Sequence, residues 1–137
     1  MSAIAETAPV NKPARTTGRV LSGLVIVFLL FDGAIKLVPW PVVTETMDRI
    51  GYGSSETLAR SLGFITLACT ILYAIPPTSI LGAILLTGYL GGAMASHLRI
   101  GSPLFSHILF GFYLGLMVWG GLWLRDRNLR ALLPLRR

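Results

Sequence analysis

The sequence predicts an all-α membrane protein: four transmembrane helices in an antiparallel bundle, with a short amphipathic helix between the first two. Three observations carry this. Of 137 residues, 53% are apolar and 13% charged, about half the usual charged share, and the mean hydropathy is +0.69. Residues 61–98 contain no Asp, Glu, Lys or Arg, and so long a stretch exceeds the roughly 20 residues one span needs. The positive charges gather near the two ends of the chain. Such a composition leaves too little polar surface for a soluble enzyme and is too apolar for a disordered chain. The single Cys excludes an intrachain disulfide, a CxxC redox pair and a thiolate-rich zinc site.

The chain divides into a flexible tail (1–18), a four-helix transmembrane domain (19–124) and a basic cytoplasmic tail (125–137). Residues 1–18 are rich in Ala, Pro and Thr and show no periodicity. The first span follows at about 20–38 (VLSGLVIVFLLFDGAIKLV); its length, near 28 Å at about 1.5 Å per residue, matches a bilayer core. Asp32 and Lys36 inside it, and the lack of a small-x-small site after it, argue against a cleaved signal peptide. Pro39-Trp40-Pro41 ends it, because proline lacks the amide donor and restricts the residue before it. In residues 42–50, Val43, Met47 and Ile50 recur at i, i+4, i+7, the pattern of an amphipathic helix lying on the membrane, with Gly51 as its stop.

Ser54 or Ser55 can cap the second span, at about 57–75, with Glu56 in its first turn. Pro76-Pro77 separates it from the third, at about 79–98, by a turn so short that the two must be antiparallel neighbours. Ser102-Pro103 reads as an N-cap and first helical residue for the fourth span, at about 103–124, which ends in Trp119, Trp123 and the sequence RDRNLRALLPLRR.

Lys12, Arg15, Arg19, Arg125, Arg127, Arg130, Arg136 and Arg137 flank one side of this arrangement; Arg49, Arg60 and Arg99 flank the other. The positive-inside rule then puts both termini in the cytoplasm. The +6 net charge is thereby a topology and lipid-headgroup signal, with no nucleic-acid partner implied. Small residues allow helices to approach in lipid. Gly88-x-x-x-Gly92-x-x-x-Ser96, the Ala83, Thr87, Gly91, Ala95 series, and Gly111-x-x-x-Gly115 followed by Gly120-Gly121 supply them. They suit either packing within the bundle or a homodimer seam through Gly88, Gly92, Gly111 and Gly115.

The intramembrane polar residues are few. A charge mid-span costs about 2.5–3.5 kcal/mol on insertion scales, so such residues pair or line a polar cavity. Asp32 and Lys36 lie four apart on one face. The alternating topology gathers them with His97, Arg99 and His107 in the outer half of the bundle. Thr66, Cys69, Thr70 and Tyr73 form a mildly polar stripe facing the interior; Tyr89 and Ser96 share a face of the third span. Each has a plainer reading: a structural ion pair for Asp32 and Lys36, headgroup contacts for His97, His107 and Arg99, and packing for Cys69. A His at this level could also exchange protons near neutral pH. No metal-ligand spacing, nucleophile–base set or phosphate loop is present.

FDGAIKLV in the first span, IGYGSS before the second, ACTILYAIPPTSILGAILLTGYLGGAMASHLRIGSPLF through the third and FYLGLMVWGGLWLRDRNLRALLP at the end resemble the DoxX-like family of small bacterial integral membrane proteins. The likeness covers about 19–134 and is most specific from Ile80 to Phe105. It implies four membrane helices. Lys36 and His97 match the family pattern, and Asp32 matches part of the family. Thr66 stands where many relatives carry Glu, which puts in doubt any chemistry resting on that acid. The family's links to thiosulfate:quinone oxidoreductase subunits, oxidant-resistance complexes and, more distantly, membrane-protein chaperones imply two roles. One is an accessory protein that holds a small amphipathic ligand, a quinone or a lipid headgroup, in a polar pocket of the outer half, or supports a partner membrane protein. The other is an oxidoreductase subunit acting on quinone, with His97 moving the proton and Asp32–Lys36 tuning it. A solute transporter fits less well with four spans.

Overall fold

The computed structural model describes residues 12–38, 40–53 and 55–133. Four helices long and apolar enough to cross a membrane dominate it. Helix α1 covers Lys12–Leu37, α2 Pro41–Arg49, α3 Glu56–Ala74, α4 Ser79–Arg99, α5 Phe110–Arg125 and α6 Arg127–Leu132. A 3₁₀ turn, Pro76–Thr78, joins α3 to α4, and a π turn, Leu104–Ile108, precedes α5. Among the described residues there is no strand.

The long helices form a ring in chain order. α1 packs on α3 and α5, and α4 packs on the same two, so α1 faces α4 and α3 faces α5 across the middle. Val25, Leu29, Tyr73, Leu86 and Val118 fill the interior. The outer surface is apolar too: Val20, Leu24, Val27 and Phe31 of α1 are each more than half exposed, on the opposite face from buried Ser22, Val25 and Leu29. A helix apolar all round with polar groups turned inward belongs in lipid. The chain is an all-α membrane protein.

Two expectations about the tails are corrected. Helix α1 begins at Lys12, so residues 12–18, expected as tail, are helical. Thr16, Thr17 and Gly18 are weak helix formers, but tertiary contact overrides propensity: a Cβ on buried Gly18 would lie 2.7 Å from the Gly121 carbonyl of α5. Residues 1–11 and 134–137 lie outside the described residues. The other correction concerns the basic tail, where α6 folds back on α5. Asp126 caps α6 by accepting from Asn128 and Leu129 amides, while Arg130 donates to the Trp123 and Leu124 carbonyls and stacks on the Trp123 ring. Arg130 thereby satisfies carbonyls that the end of α5 leaves open.

The capping signals divide. Ser55 accepts from the Leu58 amide and caps α3; Ser54 lies outside the described residues. Gly51, with φ +92°, ends α2 in a conformation that favours glycine. Ser102 does not cap the fourth span. Its hydroxyl bonds His97, and the chain enters α5 through the π turn, closed by the Ile108 amide on the Pro103 carbonyl and the Leu109 amide on the Leu104 carbonyl.

The expected small-residue packing is also redistributed. Gly88, Gly91, Gly92 and Gly115 meet nothing within 4 Å of a Cβ, so they hold no helix pair together within the chain. Tight crossings are Gly33 against Gly63, where a Cβ on Gly63 would lie 2.7 Å from the Gly33 carbonyl, Gly18 against Gly121, and Gly82 against the Tyr73 backbone. Of the expected glycines, Gly121 makes such a contact, and so does Gly111, with Met94 and the Leu90 carbonyl. A spacing motif within one helix does not say which backbone approaches it.

Candidate ligand-binding cavity at the α2 end

The two ends of the bundle are the terminal end, where α1 begins and α5 finishes, and the α2 end. At the α2 end the ring opens into a cavity of about 480 Å³ between α1, α2, α4 and α5. Its apolar floor is Leu29, Leu90 and Leu114, with Phe28 and Phe110 in edge contact at 5.3 Å beside it. Gly88 and Gly92 line one wall and leave space where side chains would stand.

Helix α2 forms the far wall. Its buried face, Val43 and Met47, packs on Ala59 with Ile35, Leu58 and Leu62. The predicted amphipathic pattern is present, but that face turns to the bundle rather than to lipid. Two clasps hold the following loop to α4. Arg99 donates from Nη2 to the Ile50 carbonyl at 2.6 Å, favourable for a cation at the C-terminal end of α2. The Tyr52 and Ser96 hydroxyls bond each other.

Polar groups sit above the apolar floor. Lys36 Nζ donates to Asp32 Oδ2 at 2.6 Å and to the Tyr89 hydroxyl at 2.7 Å. The i, i+4 spacing on α1 brings Asp32 and Lys36 together, and Lys36 reaches across the ring to α4. With side chains only 27% and 18% exposed, the two charges neutralise each other as the cost of burying either one alone requires. Tyr89 accepts from the ammonium, so its own proton is available to an occupant, as is the third ammonium proton. His97 lines the same cavity, half-buried, with Nδ1 3.1 Å from Ser102 Oγ.

Asp32, Lys36 and His97 thus come together, as the alternating topology implies, and Tyr89 joins them from α4. Arg99 is near but is committed to the Ile50 carbonyl. His107 falls in the π turn, and its side chain lies outside the described residues. Thr66 and Tyr73 are fully buried, as the interior stripe requires, yet neither lines the cavity. Thr66 bonds back to the Leu62 carbonyl. Tyr73 lies toward the terminal end, where its hydroxyl donates to the Val118 carbonyl at 2.6 Å and meets Ser22 Oγ at 2.7 Å. Its one proton goes to the carbonyl, so Ser22 donates to it and in turn accepts from Arg125 Nη2 at 3.2 Å. Tyr52 was missing from the sequence reading; a loop tyrosine carries no periodic signal, and only its place over Ser96 reveals it.

The arrangement is a small apolar chamber with a neutral, hydrogen-bonding cap, held in four apolar helices. The model of the DoxX-like family matches residues 20–121. The chain belongs to the DoxX-like family. No curated protein and no solved structure matches it. The family match covers α1 to α5 up to Gly121, and with them every cavity residue named above.

Proposed function

We propose that this DoxX-like membrane protein is a non-catalytic accessory protein that holds a small amphipathic molecule in the α2-end cavity. In this reading the cavity lies in the outer half of a bacterial inner-membrane protein whose two termini are cytoplasmic, as the distribution of arginines favours. The observation that carries it is a chamber of about 480 Å³, within the size range of small-molecule sites, whose apolar floor meets the Lys36–Asp32–Tyr89 cluster. Because Asp32 already balances Lys36, the cluster suits a head that accepts hydrogen bonds without bringing a full charge, such as a carbonyl.

Native mass spectrometry of detergent-purified protein tests this, with Gly92→Phe as the variant. A carried molecule, or a bound short-chain ubiquinone analogue, is expected on the wild type and lost when the phenyl group fills the wall at Gly92. Absence of any binding to the wild type, or full retention by Gly92→Phe, would overturn it. The second reading is a quinone-reacting oxidoreductase subunit, favoured by His97 sharing the cavity with the two donors. A redox difference spectrum that changes on adding the quinone analogue distinguishes it from simple binding.

A further inference from the structure

At the terminal end, a second cavity of about 570 Å³ lies between the start of α1, the Pro76–Ser79 turn and the junction of α5 with α6. Arg15, Arg125 and Arg127 line it, with Asp126 as the one acid. We propose that this cavity binds a phosphoryl anion, either the headgroup of an anionic lipid or a free phosphate. The site is separate from the α2-end chamber and independent of the function proposed for it.

The state of each charged group carries the inference. Asp126 is engaged with its own helix: Oδ1 accepts from the Asn128 and Leu129 amides at 2.9 and 3.2 Å. Among the described residues the ion pairs are Lys36–Asp32 and Arg60–Glu56, so none of the three arginines has a carboxylate partner. Arg125 lines the cavity and is positioned there by the bond from its Nη2 to Ser22 Oγ, which leaves other guanidinium protons for an oxyanion; a guanidinium fork matches two oxygens of a phosphate. Arg15 and Arg127 are exposed and can swing onto the remaining oxygens.

Arg130 marks the contrast. It sits on the same short segment, yet its Nε and Nη2 are both satisfied by carbonyls and its plane stacks on Trp123. Arginines that serve only to fix topology need to lie near headgroups; they need not converge on one cavity. The local excess of positive charge, three arginines against one acid, selects an anion, and the end of the bundle where both termini lie puts it at headgroup depth.

The test uses the full-length protein in two arms. In one, native mass spectrometry measures retention of phosphatidylglycerol against phosphatidylcholine; in the other, melting is followed with added inorganic phosphate against chloride at equal ionic strength. Arg15→Gln with Arg127→Gln changes two exposed residues and tests the site without touching the Ser22 contact. Arg125→Gln is the stronger variant. Arg19→Gln with Arg49→Gln removes the same charge from exposed residues that do not line the cavity. Binding in either arm that falls at least tenfold in Arg15→Gln/Arg127→Gln, with circular dichroism unchanged and the control unaffected, supports the site. Selectivity for phosphatidylglycerol alone names a lipid headgroup, and stabilisation by phosphate names the free anion. Binding in neither arm, or an equal fall in the control pair, overturns it.

Discussion

The two halves of this bundle are built from the same four helices and solve opposite problems. Toward the terminal end, glycine backbones touch at Gly18 and Gly121, and Tyr73, Ser22 and the Val118 carbonyl saturate one another. Toward the α2 end, Gly88 and Gly92 touch nothing, the ring stays open, and Lys36 and Tyr89 keep donors in reserve. Glycine therefore closes the terminal end, and on α4 it hollows the α2 end, where the α1–α3 and α4–α5 seams stay tight at Gly33, Gly63 and Gly111. What differs is whether a second backbone faces the glycine.

The largest effect that would sharpen this comparison is at the crossings. Gly121→Val, at the terminal end, forces a Cβ against the Ser22 hydroxyl and the Gly18 carbonyl. The expected loss is about 3 kcal/mol or a failure to assemble, read by melting in detergent. Gly92→Phe, facing open space, should change stability by no more than about 0.5 kcal/mol. Equal losses in the two variants would erase the distinction between the halves.

Next come the two tyrosines. Tyr73→Phe leaves buried Ser22 and the Val118 carbonyl without their partner and should cost about 1–3 kcal/mol. Tyr89→Phe removes one of two acceptors from partly exposed Lys36 and should cost less than about 1 kcal/mol while weakening ligand retention. If Tyr89→Phe melts lower than Tyr73→Phe, the α2 end is the structural half and the proposed assignment is reversed.

Smaller still is the coupling of Asp32 and Lys36. Asp32→Asn with Lys36→Met should be tolerated better than either change alone, by about 1 kcal/mol given the partial exposure of both groups. Additive losses in a double-mutant cycle would show that the two charges do not support each other. The gentlest probe leaves stability alone: a membrane-impermeant thiol reagent should label Glu45→Cys and not Asn128→Cys in intact cells. Labelling of the second and not the first inverts the proposed orientation.

Much of the fold was legible because lipid simplifies the code. A long uncharged stretch broken at Pro76-Pro77 can only be two spans, and Val43, Met47 and Ile50 mark the apolar face of the α2 segment, though not that it turns to the bundle rather than to lipid. Asp32, Lys36 and His97 could be gathered in one half by alternating the helix directions, whereas the place of Tyr89 beside Lys36 could not. The rest depended on pairs. Gly33 meets Gly63, and Gly18 meets Gly121, through backbones that no spacing within one helix identifies. Arg99 reads as a headgroup anchor until the Ile50 carbonyl appears beside it. Tyr73 belonged to the correct face but to the other half, since a stripe along a helix does not say at which depth its hydroxyls find partners.

A ring of four rods that touch only their neighbours resists compression poorly against shear: it can lean from a square into a rhombus at no loss of side-by-side contact. Here each diagonal carries one strut, at a different height. Tyr73 braces α3 to α5 through a neutral hydroxyl on a carbonyl, and Lys36 braces α1 to α4 through Tyr89. Anything that draws Lys36 or Tyr89 toward itself slackens the upper strut alone, so the α2 end can lean while the terminal end stays square.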